Sequence, residues 1–368
     1  MNHVAAKGRG ALATALVAGL CAGTASAQTN ITVYGIVDAA IAHTDNVDAA
    51  GHGMTKMPTL TGSVPSRFGF RGSEDLGNGL SAVFALENGF NPDVGTPSQG
   101  GRLFGRQAWV GLKGDWGMLQ LGRVPNMTFY SMLKSDVLGP NLFSISSIDL
   151  YIPNARSDNA IAYMGTFKEV TIGATYSFGR DASAAGGPAA TNCPGEVAGD
   201  ARACRQFTGL FGYDTQRYGV TASYDKLYGG TGAAFGLTGS GRYDRRITLN
   251  GYVMLGRTKV GGGVMDRKTD AASGLVESDL YYLGVSQPFG AALTLDAQVA
   301  RKNVKGSADD STMLVARLTY AFSKRTAVYG AIGRMDNQGK AAIALDAGGT
   351  VAPGRAQSGI MTGIRHTF

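Results

Sequence analysis

Ser66-Arg67-Phe68-Gly69-Phe70-Arg71-Gly72 changes polarity at almost every residue: Arg67 and Arg71 share one face of an extended chain, and Phe68 and Phe70 share the other. A strand with guanidinium groups on one face and rings on the reverse belongs at a boundary between water and an apolar phase. The rhythm continues on both sides of it. Upstream, Thr32, Tyr34, Ile36 and Asp38 oppose Ile31, Val33, Val37 and Ala39. Downstream, residues 73–79 read as a short turn with an Asn-Gly signal. In residues 81–90, Ala82, Phe84 and Leu86 then oppose Ser81, Ala85 and Glu87.

Along the whole chain this pattern gives sixteen candidate strands, beginning at Ile31 and ending with residues 358–368. Residues 233–243 and 246–257 read as two of them joined by a minimal turn, and residues 259–274 read as a glycine-rich loop. Long and short connections alternate, with both chain ends on the short-turn side. That predicts an all-β fold, a transmembrane barrel of sixteen antiparallel strands. In hydrocarbon each orphaned backbone N–H or C=O costs several kcal/mol, so a spanning sheet must close on itself. At that strand number closure leaves a water-filled lumen. Phe68, Phe90, Tyr176, Phe178, Tyr224, Tyr320, Phe322 and Phe368 cluster near strand ends, where amphipathic rings favour the two headgroup levels. A soluble secreted all-β protein is the competing reading, although sixteen strands are many for one sandwich.

Glycine is the compositional anomaly: 55 of 368 residues, without the strict period of collagen. Such a content disfavours helices and suits tight turns and crowded strands. Lys7 and Arg9, the apolar run 11–20 and Ala25-Ser26-Ala27 read as an export signal, residues 1–27. Residues 28–368 then form a single domain with a net charge of +5, the signal having taken two charges from +7. The basic residues are dispersed in ones and twos, so no nucleic-acid patch stands out. Cys193 and Cys204 share a loop of an exported chain, which predicts a disulfide. Four histidines, none near these cysteines, complete no metal site, and no cofactor fingerprint follows a strand. No nucleophile framework surrounds a histidine, so the chain is not expected to be an enzyme.

One connection stands apart. From Val124 to Asp158 no period of two or 3.6 is sustained, and Pro125 and Pro153 stand near its ends. So long an irregular segment is usually functional. Residues 125–157, the third long connection, are expected to fold into the lumen and narrow it. Leu138, Leu142, Phe143 and Ile145 would pack it on the inner wall.

Four blocks carry a family likeness: Ile31-Thr32-Val33-Tyr34-Gly35, residues 66–77, residues 103–112 around Gly105-Arg106-Gln107, and Gly363-Ile364-Arg365-His366-Thr367-Phe368. Across essentially the whole mature chain the sequence resembles the general porins of beta-proteobacterial outer membranes. The resemblance implies a homotrimer in the outer membrane, in contact with lipid and lipopolysaccharide. It implies delivery by periplasmic chaperones to barrel-insertion machinery, with Phe368 matching the terminal Phe which that machinery reads. It also implies basic constriction residues on the strand of Arg67 and Arg71 and at Arg106. Across from them the long connection would offer Asp136 or Asp149, with Lys134 and Arg156 moderating the sign. Glu87 and Asp38 are further acidic candidates, or else partners that merely hold Arg67 upright. Gln107 and Lys113 fall opposite Arg106 in parity, which calls for a bulge, a subunit contact or a position near the rim.

The expected function is passive diffusion of small hydrophilic solutes and ions, with a mild anion preference set by fixed positive charge on a low-dielectric wall. Two alternatives stand beside it. One is a channel specific for a sugar or organic anion, for which Tyr34 and Tyr281 are few to form an aromatic slide. The other is an adhesion or binding protein acting through its external loops.

Overall fold

Sixteen long strands form one antiparallel sheet that closes on itself in the structure, a computed structural model describing residues 30–59, 63–181 and 190–368. Residues 1–27, read as an export signal, lie outside the described residues. The strands are β1 (Asn30–Thr44), β2 (Arg67–Gly77), β3 (Leu80–Asn91), β4 (Gln107–Gly114), β5 (Gly117–Pro125), β6 (Arg156–Phe167), β7 (Val170–Ser177) and β8 (Gln206–Asp214). They continue with β9 (Tyr218–Tyr228), β10 (Tyr243–Leu255), β11 (Thr258–Ala271), β12 (Gly274–Phe289), β13 (Leu293–Val304), β14 (Ser311–Ala321), β15 (Thr326–Asn337) and β16 (Gln357–Thr367). β1 closes the ring: residues 30–36 pair with β2, and residues 36–44 pair with β16.

Parity along each strand separates two environments. On β10, Asp244, Arg246, Thr248 and Asn250 are buried inward, while Ile247 and Leu249 are exposed outward. On the outer surface Leu314, Ile332 and Ile360 are each 61% exposed, which in water would be a large apolar patch and in a bilayer is the lipid-facing belt. Rings gather at strand ends, including the edge-to-face pairs Tyr176–Phe178 and Tyr320–Phe322 at 4.9 and 5.2 Å.

The strand count agrees with the sequence pattern, but two assignments do not. Residues 233–242 are a loop, and the segment expected to be a loop is β11. Its triple glycine misled the reading because glycine in a strand marks either a turn or a close backbone approach. Here it is the second. A Cβ on Gly261 would lie 2.3 Å from the carbonyl oxygen of Ser135, in the third long connection. One false strand and one missed strand cancelled. The connection between β11 and β12 is therefore only two residues long, so the alternation of long and short fails once.

That third connection runs around the inner wall and returns. Its outward leg carries the helix α1 (Met127–Met132), capped by Asn126. The leg bonds successive strands: the Met127 amide to Thr208 on β8, the Thr128 hydroxyl to Asp225 on β9, Ser131 to Thr248 on β10, and Ser135 to Tyr282 on β12. Gln298 on β13 then donates to Asp136, and Arg317 on β14 donates to the Leu138 carbonyl. Phe143, fully buried, reaches Gly359 on β16. The return leg passes α2 (Ile145–Ile148) and brings Asp149 back to Arg246 on β10. Met132, Leu138, Leu142, Phe143, Ile145 and Ile148 share one apolar cluster with wall residues such as Met265, Met313 and Met335. Cys193 and Cys204 are bonded to each other and sit against Leu227, Ala233 and Leu237.

Candidate functional site

The loop is anchored on the inner wall from β8 round to β16, and a gap lined by Arg106, Leu142 and Pro153 remains beside it. Arg67 lies opposite Ile36, and Arg71 opposite Thr32, on the parity shared with Tyr34 and buried Asp38, so both arginines point inward. Glu87 on β3 is the hub. It accepts from Arg106 Nε at 2.7 Å and from the Tyr34 hydroxyl at 3.0 Å, with Arg67 Nε 3.6 Å away. Arg71 stacks over the Tyr34 ring at 5.3 Å. The parity conflict at Arg106 disappears because β4 begins one residue later; Gln107 and Lys113 pair with Glu87 and Ser81 and share their inward face.

The basic array continues toward the long-loop end. Arg156 donates to the Arg106 carbonyl at 3.0 Å and is itself bridged, through its own carbonyl, to Arg180. Arg123 and Arg102 share Asp158, and Arg102 reaches Asp181 at 2.6 Å. Among the described residues, six guanidinium groups (Arg67, Arg102, Arg106, Arg123, Arg156, Arg180) thus surround three carboxylates (Glu87, Asp158, Asp181). A charged wall of this kind bordering low-dielectric protein focuses a positive field into the lumen.

The expected acidic face does not assemble. Glu87 lies among the arginines and not across from them, beside Arg67 as the alternative reading had it. Asp38 bonds Ser63, the Ser66 hydroxyl through its own amide, and Tyr329, so it holds the chain entering β2 and makes no ion pair with Arg67. Asp136 is spent on anchoring the loop; burial pushes its carboxyl up, against the bond from Gln298 and the pull of Arg317. Asp149 faces a different set of cations. Burial would raise its carboxyl too, but Arg246, at 2.9 and 3.1 Å, and Arg267, at 3.8 Å, hold it well below the usual carboxylate range. Lys134, expected to moderate the eyelet, pairs with Asp214 instead. Tyr281 points outward, 48% exposed, while its neighbour Tyr282 is the buried one.

Three features escaped the sequence reading. Asp346 and Lys56 form an ion pair between two long connections and border the same gap as Arg106, Leu142 and Pro153. The cations Arg246, Arg267 and Lys302 form a second basic group on β10, β11 and β13. Arg102, Arg123 and Arg180 extend the first. The period-two run Asp244, Arg246, Thr248, Asn250 signalled part of this, but Arg267 was hidden inside the supposed loop.

A closed barrel with an apolar belt, a wet charged interior and a long connection laid inside it defines a bacterial outer-membrane channel. A family model described as Gram-negative porin matches residues 12–340, and the chain belongs to that family. It is 30% identical to outer membrane porin protein 32 of Delftia acidovorans, over 94% of this chain and 96% of the relative. It is 31% identical to an outer membrane porin protein of Bordetella pertussis, over 86% and 91%. The solved structure of an anion-selective porin from Comamonas acidovorans matches with a TM-score of 0.76 at 25% identity, covering 93% of this chain and 100% of that one. OmpT of Vibrio cholerae in its trimer form matches at 0.65 with 13% identity, over 92% and 99%, a likeness of fold alone. The protein is a channel of the outer membrane, and its long connections are the external loops.

Proposed function

We propose that this porin is a passive, anion-preferring diffusion pore for small hydrophilic solutes, working as a homotrimer. The observation that carries it is the basic wall: six guanidinium groups around three carboxylates, with Arg67, Arg71 and Arg106 bordering the lumen left open by the constriction loop 125–157. A fixed positive wall concentrates anions and excludes cations through the field it focuses. The anion selectivity of the Comamonas acidovorans porin and the trimer form of OmpT support the same reading. No covalent step is needed; width and field do the work. Export with cleavage after residue 27, lipopolysaccharide contact and insertion guided by Phe368 belong to this reading too. Mass spectrometry of the outer-membrane protein tests the cleavage.

The central test is the reversal potential of purified protein in a planar bilayer under a tenfold KCl gradient. The sign should report chloride preference. Arg67→Gln with Arg71→Gln should move it toward potassium, and an unchanged value would remove both residues from the constriction.

A further inference from the structure

We propose that the external face of the constriction loop carries a capture site for an organic monocarboxylate, formed by Lys302, Arg267 and Phe235. It rests on the reading of the barrel as an anion-passing pore and adds a ligand class to it. The cavity lies between the return leg of the loop, the ends of β10, β11 and β13, and the connections 229–242 and 338–356. Part of its lining is charged. Arg246 is held by Asp149 and Asp244, and Arg267 reaches Asp244 at 2.7 Å. Lys302 points inward from β13, on the parity of buried Ala300, and its ammonium group makes no hydrogen bond or ion pair among the described residues. Three cations therefore meet two carboxylates, and the surplus positive charge sits on Lys302.

The same cavity is also lined by the apolar groups Phe235, Leu237 and Ile343. Phe235 holds a left-handed backbone, φ 59°, and is 54% exposed. A bulky side chain in that region is a true outlier, and strain retained in a loop points toward use. One surplus charge beside an apolar wall fits a carboxylate attached to a hydrocarbon or aromatic body. Chloride could use only the charge, and a sugar could use neither. The flexible lysine, a mobile point charge, suits transient capture ahead of the arginine wall.

Benzoate is the probe, added to the external side of full-length mature protein in a planar bilayer, with inorganic phosphate as comparator. It should lower the KCl current saturably. Lys302→Gln should raise its half-saturating concentration about tenfold, the effect of one lost charge-assisted contact, and Lys302→Arg should restore it. Phe235→Ala, in an exposed loop, should raise it for benzoate and leave phosphate unaffected. An unchanged half-saturation in Lys302→Gln, or equal block by phosphate and benzoate, overturns the site. Wild-type protein that prefers chloride yet shows no benzoate block also overturns it. Loss of chloride preference in wild type would instead sink the underlying pore reading.

Discussion

Glu87 restrains two arginines at once, Arg106 directly through Oε1 and Arg67 more loosely through Oε2, which also accepts from the Tyr34 hydroxyl. In Glu87→Gln the wall loses its central negative charge and the two guanidinium groups repel. Chloride preference should rise, and stability should fall by about 1–3 kcal/mol, the cost of lost charge-assisted bonds. Reversal potentials and thermal melting in detergent check both; a shift toward potassium would contradict the lumenal placement of Glu87. Two loop carboxylates should respond to pH in opposite directions. Burial pushes Asp346 up despite Lys56, so its charged form is disfavoured in the fold. The folded state then binds its proton more readily, and this group favours folding as pH falls through the window just above the ordinary carboxylate range. Asp346→Asn should therefore stabilise at pH 7 and be neutral in acid. Asp149 is held well below that range, so its contribution is present above the ordinary value and is lost only in strong acid. Asp149→Asn should destabilise at pH 7 by up to about 3–5 kcal/mol, the range for breaking one partner of a buried pair. Melting curves of the two variants at acidic and neutral pH should separate them.

The constriction loop is the element whose docking decides the aperture. Phe143 has no exposed surface and packs against Gly359, so Phe143→Ala should cost about 3–5 kcal/mol of loop docking. Gly261→Ala would set a methyl group 2.3 Å from the Ser135 carbonyl, a backbone atom that cannot swing aside. Both variants should show larger, noisier single-channel currents with the barrel intact, and an unaltered current would mean that the loop does not set the width. The loop's position in the chain was legible because no period runs through residues 124–158. Its anchors Leu138, Leu142, Phe143 and Ile145 were also named correctly as apolar packing groups, and all four are buried. The strand β11 was not legible: Gly261-Gly262-Gly263 has the local composition of a turn, and only the backbone of a loop more than a hundred residues upstream explains it.

For the whole molecule, ring closure is the decisive event. The Phe368 amide donates to the Gly35 carbonyl at 3.0 Å, and the Gly35 amide donates back at 3.1 Å, extending the seam between β16 and β1. The Phe368 ring covers Gly35, where a Cβ would lie 2.3 Å from Cζ. Phe368→Ala should therefore lower the yield of refolded barrel in detergent alone, where no insertion machinery is present. Unchanged refolding there, with poor assembly in cells, would confine Phe368 to recognition. Heat-modifiable migration on gels reads both.

Alternation of polarity was enough by itself to determine a closed, membrane-embedded antiparallel sheet, because which face a side chain takes is a local property of extended backbone; the total of sixteen strands agreed only because one false strand offset one missed strand. It also identified Arg67 and Arg71 as sharing one face. Only the tertiary structure decided which charges meet. Period two assigns a face but neither a height nor a partner, and a loop folded back through the lumen joins residues far apart in sequence. Thus Asp149 meets Arg246, Asp136 serves the wall, and of the two roles open to Glu87 it takes that of partner to Arg106 and Arg67.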